Sequence, residues 1–167
     1  MSQISVVVHG LGNIGKHVVQ SLETAPDMRC LGVVRRAASL GAQAVDLRGL
    51  PDFADLDSLI AARGKPDAAI LCGPSRSVPE DARRYLAAGL HTVDSFDIHH
   101  KIVDMVNRLD PVAKAHQAVA ITAAGWDPGS DSMLRAIFEA MAPVGTTFTN
   151  FGRGRSMGHS VAARSIE

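Results

Sequence analysis

Six apolar-leaning residues, ISVVVH, run from position 4 to 9 and break into GLGNIG at 10–15. Apolar side chains then recur at Ile14, Val18, Val19 and Leu22. A continuous apolar run ending in glycine predicts a buried parallel strand, and the spacing after it predicts a helix. Between two such elements the pattern G-x-G-x-x-G has a mechanical meaning. Gly10 permits the tight turn, Gly12 lets the backbone approach a pyrophosphate, and Gly15 lets helix and strand pack closely. The helix N-terminus, with Asn13 and Ile14 in its first turn, offers N–H groups and partial positive charge to that anion. The alternative, a glycine turn without a ligand, lacks this flanking context. The segment predicts dinucleotide binding.

Further strands are predicted at 28–34, 67–73, from 91 and at 118–125, and helices at 13–25, 55–63, 78–89, 98–116 and 130–142. Residues 35–52 read as irregular. Such alternation predicts an α/β fold, a Rossmann-type doubly wound parallel sheet. The first domain closes near residue 122. Residues 123–167 supply a helix, a strand-like GTTFTNFG (145–152) and a tail, too little for a core of their own. They read as the beginning of a second, α+β domain.

Formal net charge is zero, which argues against nucleic acid as a partner. No run reaches the ~18 apolar residues of a membrane span, and the N-terminus lacks the basic start of a signal peptide. Cys30 and Cys72 lie in apolar strands and read as core thiols of a reducing cytoplasm. No histidine has metal-ligand spacing, and His99–His100 reads as surface.

An NAD site usually places Asp or Glu at the end of the second strand. Here that end is VVRR, with Arg35 and Arg36, and no carboxylate appears nearby before Asp46. Two guanidiniums attract a 2′-phosphate, so the cofactor is expected to be NADP. The other sites expected are at strand C-termini, where doubly wound sheets bind ligands. They are LCGPSRSVPE (71–80), HTVDSFD (91–97) and GWDPG (125–129). Asp127 reads equally as a turn-former or helix cap, and the alternatives are an Asx-turn for Asp94 and core packing for Trp126.

GLGNIG, VVRR, SRSVPE, HTVDSFDIH, GWDPGSDS and TNFGRGRSMGHS occur in one order, and in that order the chain resembles the meso-diaminopimelate D-dehydrogenase family from residue 4 to its last residue. The resemblance implies an NADP-binding Rossmann domain, a second substrate and dimerisation domain, and a cytoplasmic homodimer. It implies oxidative deamination of the D-centre of meso-2,6-diaminopimelate to L-2-amino-6-oxopimelate and ammonia. By resemblance, Gly10, Gly12, Asn13, Ile14, Gly15, Arg35 and Arg36 hold NADP. Cys72, Gly73, Pro74, Ser75 and Ser77, with Asp94 and Ser95, line its nicotinamide half. Asp94, Trp126 and Asp127 face the D-amino acid end, with Phe151, Met157 and Gly158 bordering the pocket. Asp94 and Asp127 would pair with the ammonium and carry the acid–base chemistry.

The family's chains are about twice as long, so the sequence reads as an N-terminal half. The charges of Arg153 and Arg155 have no account in this reading. Two other functions compete with the dehydrogenase: a silent NADPH-binding module, and a related D-amino acid or imine oxidoreductase.

Overall fold

The structure, a computed structural model, describes residues 3–40, 47 and 49–145. Among the described residues, six parallel strands form one sheet: β1 (Ile4–His9), β2 (Met28–Val34), β3 (Asp52–Phe53), β4 (Ala68–Leu71), β5 (His91–Asp94) and β6 (Ala120–Ile121). Five α-helices among the described residues connect and flank them: α1 (Asn13–Leu22), α2 (Leu56–Arg63), α3 (Val78–Ala87), α4 (Ile102–Ala115) and α5 (Ser130–Met141). The strand order is β3-β2-β1-β4-β5-β6. This is the doubly wound Rossmann order, whose winding reverses between β1 and β4.

Alternation along β1 sorts the core into two layers. Val7 faces a cluster with Leu59, Leu71, Leu86 and Met105, which α2, α3 and α4 cover. Its neighbour Val8 faces the other way, onto Val19 of α1 and Val33 of β2. Caps fix several helix ends. Asp55 accepts the Ser58 N–H at 2.8 Å to start α2, and Gly64, at φ +85°, stops it. On α5, Met133, Ile137 and Met141 are exposed one turn apart.

The sequence overlooked β3. It has only two residues, in a segment expected to be irregular, and its register Val33↔Asp52 and Val34↔Phe53 makes it the sheet edge. The strand expected over 118–125 shortens to Ala120–Ile121. After it Ala123 turns to φ +58°, and the N–H groups of Ala123 and Ala124 go to Asp94 instead of a ladder.

Candidate active site at the carboxyl edge of the sheet

The turn after β1 and the turn after β4 touch at the point where the winding reverses. The Cys72 N–H donates to the His9 carbonyl at 2.7 Å. Gly10 stands at φ +91°, and a Cβ there would lie 3.0 Å from the Cys72 carbonyl carbon and oxygen. A Cβ on Gly15 would collide with the Gly10 carbonyl oxygen, so helix and strand meet as closely as their backbones allow. Gly12 is the contrast: a Cβ there would meet nothing within 4 Å. The first turn of α1 has no side-chain cap and no acidic residue. Its orphan N–H groups therefore open beside a bare glycine, a cradle that fits a pyrophosphate by shape and by dipole.

The second strand's end differs from expectation. Arg35 is buried, 8% exposed. Its Nε donates to Asp52 Oδ2 at 2.8 Å, and its Nη2 reaches the same oxygen. The expected lack of a nearby carboxylate is thus corrected, because Asp52 lies well beyond the second strand in sequence but one register step from it in space. Arg35 is tied into the sheet edge rather than extended toward solvent. Arg36, next in the chain, is exposed.

Residues 72–77 form the turn from β4 into α3. Burial pushes the Cys72 thiol up to about 12, so it packs as a thiol and offers no nucleophile. Cys30 and Cys72 are both free and partly buried. The Ser77 hydroxyl donates to the Pro74 carbonyl at 3.0 Å, which closes the turn. Pro74 itself is exposed and Ser75 half-buried.

Beneath this turn lies a cluster the sequence did not reveal. His9 Nδ1 is 2.9 Å from the Tyr85 hydroxyl, and His9 Nε2 is 3.5 Å from Asp81 Oδ2. A Cβ on Gly73 would sit 3.7 Å from both Asp81 Oδ2 and His9 Cδ2, so the cluster supports the turn directly. Burial lowers the pKa of His9, with the Asp81 carboxylate opposing, and raises that of Tyr85.

Asp94 ends β5 and is held on both oxygens. It is 2% exposed. Its Oδ1 accepts the Phe96 and Ala123 N–H groups at 2.9 and 3.2 Å, and its Oδ2 accepts the Thr122 hydroxyl at 2.7 Å. This is the Asx-turn reading, extended into a tie between the β5 and β6 loops. A carboxylate so committed ties the two loops together, and an ammonium would have to compete with these three donors for it. Asp97, three residues on, is exposed. Ser95 packs against the next loop, where a Cβ on Gly125 would lie 3.1 Å from its own Cβ.

That loop, Gly125–Gly129, is closed by Ser130 N–H donating to the Gly125 carbonyl and includes a cis Asp127–Pro128 bond. Trp126 is 45% exposed, so it is not a core residue. Nor does Asp127 cap α5; Gly129 occupies that position. Asp127 Oδ1 instead receives Arg135 Nη2 at 2.8 Å and the Ser132 hydroxyl at 3.5 Å, with His99 Nε2 at 3.9 Å. His99, expected at a featureless surface, thus reaches the loop. Arg135 was not anticipated, although Asp131 and Arg135 stand at the i,i+4 spacing that pairs charges on a helix. Phe151, Met157 and Gly158, like Arg153 and Arg155, lie outside the described residues.

Comparison with known proteins fits this geometry. The family described as "Oxidoreductase family, NAD-binding Rossmann fold" matches residues 4–94, and "Diaminopimelic acid dehydrogenase C-terminal domain" matches residues 125–167. Meso-diaminopimelate D-dehydrogenase of Bacteroides fragilis is 48% identical over all of this chain and 54% of its own length. The Corynebacterium glutamicum protein of that name is 33% identical over 99% of this chain and 50% of its own. The crystal structure of C. glutamicum DAP dehydrogenase in complex with DAP superposes with a TM-score of 0.79 at 32% identity, covering 99% of this chain and 50% of that one. An engineered D-amino acid dehydrogenase bound to NADP+ superposes with a TM-score of 0.70 at 30% identity, over 84% of this chain and 42% of that one. The chain thus spans about half the length of the curated relatives it matches. With residues 4–94 carrying the glycine loop and five of the six strands, the chain belongs to the oxidoreductase family with an NAD-binding Rossmann fold.

Proposed function

We propose that the protein of this sequence oxidatively deaminates the D-centre of meso-2,6-diaminopimelate with NADP, giving L-2-amino-6-oxopimelate, ammonia and NADPH. The observation that carries this reading is the Asp127 carboxylate. Its Oδ1 is held by α5, and its Oδ2 has no hydrogen-bond partner among the described residues. An oxygen so presented, beside a half-exposed indole, suits a substrate ammonium. The similarity to diaminopimelate dehydrogenases supplies the substrate class.

The glycine loop and the first turn of α1 would hold the pyrophosphate, and Arg36 the 2′-phosphate. NADP, when bound, supplies the hydride acceptor. The protein's residues bind and orient. Asp127 would pair with the ammonium and relay its proton, because the amine must be neutral before its carbon gives up hydride. Asp97, exposed after β5, would be a second carboxylate available to the same group. Trp126 would exclude water from the reacting carbon until water is needed to hydrolyse the imine. From the family resemblance of its sequence, the protein would work as a cytoplasmic homodimer, which sedimentation measurements of mass in solution would check.

The test is an absorbance assay of the complete protein with NADP and each diaminopimelate stereoisomer. NADPH formation from the meso isomer and none from the L,L isomer supports the reading. Activity confined to other D-amino acids would overturn the substrate.

A further inference from the structure

We propose that Arg135 is a positioning residue of this site, setting which oxygen of Asp127 meets the substrate ammonium. The inference rests on the functional reading above. The Arg135 guanidinium bridges two carboxylates: Nη2 lies 2.8 Å from Asp127 Oδ1, and Nε lies 3.1 Å from Asp131 Oδ2. Asp131 is the fixed end of this bridge. It is 3% exposed in the first turn of α5, and its N–H donates to the Trp126 carbonyl at 2.7 Å. Its Oδ1 is buried without a hydrogen-bond partner, so Arg135 is the group that compensates a charge taken out of water.

The bridge has a direction. Arg135 and Ser132 hydrogen-bond to Oδ1 of Asp127 and His99 lies 3.9 Å from the same oxygen, whereas Oδ2 takes no hydrogen bond among the described residues. A carboxylate held by one oxygen cannot rotate freely, so the other oxygen keeps a constant aim. Asp127 stands next to Trp126 in a loop whose glycines, Gly125 and Gly129, are in backbone contact. The loop fixes the backbone of Asp127, and Arg135 fixes its side chain. The two together locate an ammonium-binding oxygen relative to the indole, and positioning errors of ~1 Å can cost ~100-fold in rate.

The experiment compares Arg135→Met and Arg135→Lys with the unaltered complete protein, by steady-state kinetics on meso-diaminopimelate and by direct NADPH titration. Arg135→Met is expected to lower kcat/KM by about 100-fold, with NADPH affinity unchanged. Arg135→Lys keeps a cation and should recover part of the loss. If Arg135→Met does not fold, because Asp131 is left charged and buried, the double variant Arg135→Met/Asp131→Asn removes that charge and gives the same readout. Undiminished kcat/KM in a folded Met variant would overturn the proposal. So would equal loss of NADPH binding and turnover, which marks a structural role, or a Lys variant no better than Met. Failure of the unaltered protein to turn over would instead sink the functional reading, and this inference with it.

Discussion

Arg35 and Asp52 meet at the edge of the sheet, guanidinium Nε to carboxylate Oδ2 at 2.8 Å, with the arginine side chain 6% exposed and the aspartate 20%. Removing one partner of so buried a pair leaves the other uncompensated. Asp52→Ala is expected to destabilise the fold by about 3 kcal/mol. Urea unfolding reads this directly. An unchanged midpoint would mean that Arg35 finds water or another partner at once.

The same pairing divides the labour of the two arginines. Arg36→Ala should weaken NADPH binding by about 10-fold or more, the worth of a charge-assisted hydrogen bond, while NADH binding stays the same. Arg35→Ala should act mainly on stability. Fluorescence titration with both cofactors would show the split, and equal weakening toward NADPH and NADH in Arg36→Ala would remove it from the 2′-phosphate.

Gly12 and Gly15 make opposite predictions. Gly12→Ala places its methyl in open space at ordinary backbone angles, so the melting temperature should hold while dinucleotide affinity falls. Gly15→Ala drives a methyl into the Gly10 carbonyl and should destabilise the fold. Scanning calorimetry with and without NADPH separates the two. A Gly12→Ala protein that binds NADPH normally would mean the pyrophosphate lies elsewhere.

Asp94→Ala strips the acceptor from two backbone N–H groups and the Thr122 hydroxyl. Each buried donor left unpaired costs about 1–3 kcal/mol, so loss of folding, not a selective loss of turnover, is the expected phenotype. A stably folded, cofactor-binding and inactive variant would restore Asp94 to the chemistry.

His9 gives a pH dependence with a definite sign. Burial holds its folded pKa below the ordinary 6.5, with Asp81 opposing and Arg84 assisting. As pH falls through 6.5 the unfolded chain binds the proton first, so stability present above that pH is lost on the way down to the folded value. Denaturation midpoints should therefore decline from pH ~7.5 to ~5.5, and His9→Gln should flatten the decline. An identical slope in the variant would assign the effect to other groups.

Much of this architecture was legible in the chain. Buried parallel strands announce themselves as apolar runs, and the glycine spacing only makes sense between a strand and a helix, so β1, α1 and the glycine turn between them followed directly. The boundaries of α3 and α5 were also close. What escaped was set by pairing at a distance. Asp52 carries no local mark of its partner Arg35, because only the register of a two-residue edge strand joins them. Asp94 could be read as an Asx-turn from its place at a strand end, but its partners Thr122 and Ala123 depend on how two loops fold over each other. The reach of Arg135 to Asp127 needs the Gly125–Gly129 turn to fold the chain back on α5. Local patterns specify elements; the partner of a charged side chain is a property of the assembled sheet.

The strand order has one last consequence. The segment around Arg36 and Asp52 lies on one flank of the central pair β1 and β4, and the loops bearing Asp97 and Asp127, with helix α5 bearing Arg135, follow β5 and β6 on the other. Mutational libraries aimed at the two flanks would share almost no neighbours. An engineer is therefore free to retune one flank against a background of fixed residues in the other, provided that Gly10, Gly15 and Cys72, where the halves are bolted together, are left as they are.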